Sequence, residues 1–169
     1  LDRIYGLNLS FETSAAAIAQ RKAFLKARHI GICDIVQQAE RKRVDASDLG
    51  MRKLVLRDLL GILEAYSSVH TVLFTGGNSK NGPEYLFRRL LKPKGLSLTL
   101  QQKQTPRIHT FLLPAKGGTR REVRTVSLTA PSGSANRAIG SMQAYKAQKA
   151  ADPDYTVMDF RVEQYQRYF

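Results

Sequence analysis

Apolar positions recur at helical spacing in some stretches of the chain and alternate or run together in others, and the two patterns predict an order of elements. Between Asn8 and His29, SFETSAAAIAQRKAFLKARH offers a cap at Ser10 or Thr13, an early Glu12, and basic residues toward its end. Ile18, Phe24 and Leu25 share one face and Gly31 stands just beyond, so the spacing predicts a helix packed on a core. A short apolar run, Ile30 to Cys33, follows. Asp34 then opens DIVQQAERKR, read as a short helix capped by Asp34 with Ile35, Val36 and Ala39 inward. Residues 54 to 66, LVLRDLLGILEAY, form the clearest amphipathic pattern, with Leu59, Leu60, Ile62 and Leu63 inward; Gly61 costs about 1 kcal/mol relative to Ala.

His70 to Thr75, HTVLFT, is β-branched, apolar and too short for a helix, and it ends in Gly76-Gly77-Asn78, which predicts a strand and a turn. Helical spacing resumes from Pro83 to Leu91. Leu96 to Leu100, Ile108 to Leu113 and Val123 to Thr129 are further strands, the last two separated by the turn signal Pro114-Ala-Lys-Gly-Gly-Thr119. From Ala135 onward helix returns in two pieces broken at Asp152-Pro153. Helix, strand, glycine turn, helix is the order of an α/β fold, in which a largely parallel sheet is favoured and ligands sit at the carboxyl ends of the strands.

At 169 residues one domain is expected, burying roughly 70% of its unfolded surface. The lone Cys33 forms no internal bridge and reads as a small core residue. Neither it nor the scattered His29, His70 and His109 has metal-ligand spacing, so neither metal nor cofactor is expected. No apolar stretch approaches the length of a membrane span, and the N-terminal residues do not resemble a signal peptide, which reads as a cytoplasmic protein.

Charge changes the picture more. Lys plus Arg number 27 against 14 Asp plus Glu, a net +13, and ten cations fall between residues 86 and 125 with Glu122 as the sole acid. These include Arg88, Arg89, Arg107, Lys116, Arg120, Arg121 and Arg124. Such clustering points to a polyanion, nucleic acid first.

Two loops follow apolar strands. Gly77 and Gly82 have the spacing of a phosphate-cradling P-loop, but Pro83-Glu84 replaces the Lys and hydroxyl that hold phosphate and magnesium, so a nucleotide cofactor is not expected. In the second loop, Ala130-Pro131-Ser132-Gly133-Ser134-Ala135-Asn136-Arg137, small residues allow close approach of a phosphate. Ser, Asn and Arg there can donate to it at a helix start, or Ser134 simply caps the helix.

The order GICDIVQQAERKRVDASD, a helix, VLFTGG, and VSLTAPSGSANRAIG resembles the uracil-DNA glycosylase superfamily, in its mismatch-specific and hypoxanthine-type branches, from about Phe24 to Phe169. The resemblance implies a three-layer α/β/α fold with a central, mostly parallel sheet. It implies a monomeric DNA repair enzyme that flips a deaminated base, uracil or hypoxanthine, out of double-stranded DNA and hydrolyses its N-glycosidic bond. Pro131, Ser132, Gly133 and Ser134 match the family loop that enters the minor groove, with Asn136 and Arg137 as neighbouring phosphate contacts. Arg120 and Arg121 are taken as further DNA contacts. Thr75 and Gly76 fall where related branches carry Asn-Gly against the base edge, and Asp34 matches an acidic position common in the family.

Three departures accompany the match. Thr75 stands in place of the Asn that related branches carry at the strand end. Ala130 stands where several branches place His or Asn to stabilise the leaving base. The water-positioning motif belongs upstream of Leu1, since Leu1 to Leu7 resembles the end of the helix that follows it. An N-terminally incomplete chain is therefore expected; the alternative is a non-catalytic nucleic-acid-binding domain. Tyr165, Tyr168 and Phe169 could stack on bases but read first as core.

Overall fold

The computed structural model describes residues 1–41, 48–115 and 118–169; Asp45 and Lys116 lie outside them. The chain begins with α1 (Asp2–Tyr5) and α2 (Ala15–Ala27), followed by a hairpin of β1 (Val36–Arg41) and β2 (Met51–Leu56). Then come α3 (Leu59–Ala65), β3 (Thr71–Phe74), α4 (Pro83–Leu91), β4 (Thr99–Gln102), β5 (Arg107–Pro114) and β6 (Arg120–Ser127), and finally α5 (Gly133–Ser141), α6 (Gln143–Ala151) and α7 (Val157–Gln166). The α/β class is thus present. β1 and β2 make a separate antiparallel pair, and the other four strands form one sheet in the order β3-β6-β5-β4.

The mostly parallel expectation is corrected. Only β3 and β6 run parallel; β6–β5 and β5–β4 are antiparallel. The reason is local: β4, β5 and β6 are joined by short connections without a crossover helix, and short connections can only reverse the chain. Between β3 and β6, by contrast, the chain passes through α4.

Helix α4 forms where every local signal agrees. Gly82 is its extended N-cap, Pro83 occupies the first turn, Glu84 lies at the positive end of the helix dipole, and Arg88 and Arg89 lie in the last turn. Its inward face, Leu86, Phe87 and Leu91, is fully buried. Phe87 packs between Phe74 of β3 and Phe111 of β5, with ring centroids 5.2 and 5.5 Å apart. Leu59, Leu60 and Leu63 of α3 and Val123 of β6 complete this core. α7 lies toward the opposite face, where the guanidinium of Arg124 stands over the Tyr168 ring.

The N-terminal third departs furthest from the pattern. α2 is capped by Ser14, whose hydroxyl accepts from the Ala17 amide, rather than by Ser10 or Thr13. Only Ala17 of this helix is buried; Ile18 is exposed, and Phe24 is half-buried with its ring against that of Tyr5 of α1. Its C-terminal turn closes by the Ile30 amide donating to the Leu25 carbonyl, with His29, not Gly31, in the left-handed conformation. The helix expected from Asp34 is instead strand β1: VQQAER has too few apolar residues for a helical face, and pairing with β2 satisfies its backbone. Leu54 to Leu56 likewise belong to β2, so the helix that follows starts only at Leu59, and Ile62 is partly exposed on it. Cys33 is exposed, not core.

Gly61 also has a different meaning from the one its propensity suggests. The Asp58 side chain caps α3 by accepting from the Gly61 amide at 3.0 Å, and a Cβ at residue 61 would stand 2.4 Å from that carboxylate. Gly140, inside α5, has open space around its Cβ position. Gly140→Ala is therefore expected to raise stability by up to about 1 kcal/mol. Gly61→Ala is expected to raise it by nothing, because displacing Asp58 loses a cap of about 1 kcal/mol. Urea unfolding of the two variants checks the contrast.

Candidate functional site

β3 and β6 are parallel neighbours, so the loops that leave them emerge side by side at one edge of the sheet. Gly76 is buried at this edge. A Cβ there would stand 3.0 Å from the Pro83 ring and 3.9 Å from the Ala130 Cβ, so the second residue beyond β3 lies between the start of α4 and the loop after β6. Thr75 beside it is exposed. The remaining turn closes on itself: the Gly82 amide donates to Ser79 O at 2.8 Å, and a Cβ on Gly82 would stand 2.5 Å from Gly77 O. Asn81, buried and in the left-handed conformation, donates to the carbonyls of Asp48 and Met51 and so ties the hairpin to this turn.

The second loop is exposed at Pro131, Ser132, Gly133 and Ser134. Ser132, and not Ser134, is the N-cap of α5, its hydroxyl accepting from the Ala135 amide at 3.3 Å; the two serine hydroxyls lie 3.2 Å apart. Arg137 is exposed, while Asn136 accepts a hydrogen bond from the buried Arg161. α7 holds the base of the loop: Gln164 Oε1 accepts from the Thr129 amide at 2.7 Å and the Tyr165 hydroxyl donates to the Thr129 carbonyl at 2.9 Å. Tyr165 thus acts as a clamp on the strand end, stacked on Phe169.

Other expected site residues lie apart. Arg120 and Arg121 start β6, roughly 20 Å of strand away from Ser127 at its end. Arg121 donates to the carbonyls of Leu63 and Val69 at 2.6 and 2.7 Å, which fixes the end of α3 to the sheet. Asp34 lies in exposed coil before β1 and caps no helix; its carbonyl accepts from Arg57 Nε, and no described hydrogen bond or ion pair joins it to Thr75 or Gly76.

What sequence reasoning missed is a buried polar cluster at this same end of the sheet. Glu84 has no exposed surface. Its Oε2 accepts from the Ser127 hydroxyl at 2.7 Å, and its Oε1 accepts from Arg88 Nη2 at 2.9 Å and Arg107 Nη1 at 3.4 Å. Ser127 and Arg107 are register partners across β6 and β5. Burial pushes the Glu84 carboxyl up, but the Ser127 and Arg88 hydrogen bonds and the Arg107 charge outweigh it and hold the group below its ordinary value. His109 Nε2 lies 2.8 Å from Arg88 Nη2; an arginine can only donate, so this nitrogen accepts and the ring proton sits on Nδ1, which has no partner. Burial, reinforced by the two arginines against the pull of Glu84, lowers the His109 value. A Glu at the second position of a helix following a glycine turn is the available signal, which in the sequence stands out only as a departure from the P-loop pattern.

Among the described residues no group of His, Cys, Asp and Glu could hold a metal ion, and no helix is long and apolar enough to cross a membrane. Comparison of the chain with known families, with curated proteins and with solved structures finds no match.

Both depressed groups take up protons more readily in the unfolded chain, so each contributes stability that is lost as pH falls. The first loss is expected below the ordinary imidazole value of 6.5, as His109 takes up a proton and becomes charged in the unfolded chain only; the second begins below 4.5, as the Glu84 carboxylate takes up a proton and is neutralised there first. His109→Gln, whose amide oxygen can still accept from Arg88, should remove the first step and keep the second. Unfolding free energies between pH 8 and pH 3 measure this; an unchanged first step would show that another group causes it.

Proposed function

We propose that this chain is a DNA glycosylase of the uracil-DNA glycosylase superfamily, acting on a flipped-out uracil or hypoxanthine in double-stranded DNA. The observation that carries the reading is the nearness of Gly76 to Ala130, such that a Cβ on residue 76 would stand 3.9 Å from the Ala130 Cβ, which brings the two motifs that carry the resemblance to one rim at the ends of parallel strands. Pro131, Ser132, Gly133 and Ser134 are exposed there at the start of a helix, where the paired Ser132 and Ser134 hydroxyls retain one O–H beyond their mutual contact, as a phosphate-contacting loop requires. Thr75 and Gly76 would face the base edge. Helices α3 and α4 against one face of the sheet and α7 toward the other are in keeping with three layers, while the antiparallel β4–β5–β6 half departs from the family's parallel sheet.

In this reading the glycosidic C1′–N bond breaks with its electron pair going to the base, and water adds its oxygen to C1′ while its proton passes to the departing base or to solvent. A second reading, a nucleic-acid-binding domain without chemistry, is favoured by the rim's own composition. Ala130 offers the leaving base no donor, and Glu84 and His109 are buried and committed to partners, so none of the three is placed to activate water.

Duplexes carrying one uracil or one hypoxanthine, incubated with the protein and then treated with alkali, should be cut at the modified site. Ser132→Ala should lower the yield about tenfold while costing roughly 1 kcal/mol of stability through the lost cap. Tight, salt-sensitive binding with no cut strand would establish the second reading, and neither binding nor cutting would sink both.

A further inference from the structure

We propose that Arg88 and Arg107 form a phosphate-binding site, distinct from the Pro131–Ser134 loop, whose geometry is set by the buried carboxylate of Glu84. Two guanidiniums converge on one oxygen of a single carboxylate, so the cluster carries one uncompensated positive charge with His109 neutral. Glu84 is inaccessible, but about a third of each arginine side chain remains exposed, which directs that excess charge outward. Arg88 spends Nε and Nη2 on Glu84 and His109, and Arg107 spends one donor of Nη1. Nη1 of Arg88 and Nε and Nη2 of Arg107 have no acceptor among the described residues, and such groups in a fixed fork match the oxygens of a phosphate.

The surroundings suit the same ligand. Arg88 opens onto a shallow depression of about 200 Å³ that it lines with Lys92, Ser97 and the apolar Leu91, Leu96 and Leu98. No acidic side chain lines it. A salt bridge made only to hold α4 on the sheet would need one arginine; the second adds repulsion inside a buried cluster unless an anion shares it. Ser127, which fixes the other oxygen of Glu84, lies on β6 four residues before Pro131, roughly 13 Å of extended chain, so a nucleic-acid backbone at the loop can also reach this site.

The ligand chemistry is a phosphate oxygen set, from a nucleic-acid backbone or from free phosphate, and the test separates them. An undamaged DNA duplex is titrated by fluorescence anisotropy at several salt concentrations, and inorganic phosphate is titrated while the arginine Nε resonances are followed by NMR. The duplex carries no modified base, so failure of base excision would leave this result standing. Arg107→Gln is expected to weaken duplex binding several-fold and to reduce the salt slope by about 1, while Arg107→Lys keeps most of both. In the native protein, phosphate should shift the Arg88 and Arg107 resonances, and duplex should displace it. Phosphate shifts that duplex does not compete with would assign the site to a free phosphate. The proposal is overturned if native Arg88 and Arg107 resonances ignore both phosphate and duplex, a readout that stands even where a variant fails to fold.

Discussion

A carboxylate with no exposed surface must find its counter-charges and donors inside the protein, and Glu84 draws them from three elements: Arg88 of its own helix, Arg107 of β5 and Ser127 of β6. Leaving such a charge bare, by removing both arginines, would cost on the order of 3 to 5 kcal/mol. The geometry of α4 against the sheet is therefore constrained at its first turn by electrostatics as much as by the apolar packing of Phe87 and Leu91 further along. Everything at the functional rim is referred to that first turn. Pro83, the residue before Glu84, is what Gly76 packs on, and Gly76 in turn lies near Ala130.

The rim is thus held from two directions. From one face, the Glu84 cluster fixes the end of β6 at Ser127 and the start of β5 at Arg107. From the other, Gln164 and Tyr165 of α7 take both backbone groups of Thr129, two residues beyond the end of β6. Between these fixed points and the capped start of α5, the exposed Pro131–Ser134 loop is anchored at both ends. A loop that is presented rigidly loses less entropy on meeting a backbone phosphate than a floppy one, which is how an exposed segment of small residues can still bind well.

Sequence periodicity located α4, β3 and β5 to within a residue at each end, because each is strongly apolar on the buried side and flanked by glycine or proline; β6 begins three residues earlier than expected, since Arg120 to Glu122 carry no apolar side chain. Periodicity failed where neither condition holds. VQQAER alternates weakly and offers no contrast between helix and strand, so its pairing with β2, a contact between distant residues, decided its state. Strand direction was equally hidden: β4, β5 and β6 read like the strands of a parallel sheet, and only the length of their connections distinguishes the two arrangements. Thr75, Gly76 and Ala130 to Arg137 were legible as a candidate site because they follow strands. The Glu84 cluster was not, since its members are scattered from residue 84 to residue 127 and only the fold brings them together.

Net charge was the strongest sequence signal for a polyanion, and the structure changes how it is counted. Arg121 spends its guanidinium on the carbonyls of Leu63 and Val69, so although it belongs to the basic segment its role is to pin α3 to the sheet. Arg124 lies over the Tyr168 ring on the other face. Arg88 and Arg107, in contrast, give part of their charge to Glu84 and turn the rest outward at the end of the sheet where the loops emerge. A run of cations in sequence therefore resolves into separate structural duties on opposite faces and ends of one sheet. In the proposed site, affinity for an anion would follow from the few guanidiniums with unspent donors, and the overall +13 would set only the long-range attraction that brings the anion near.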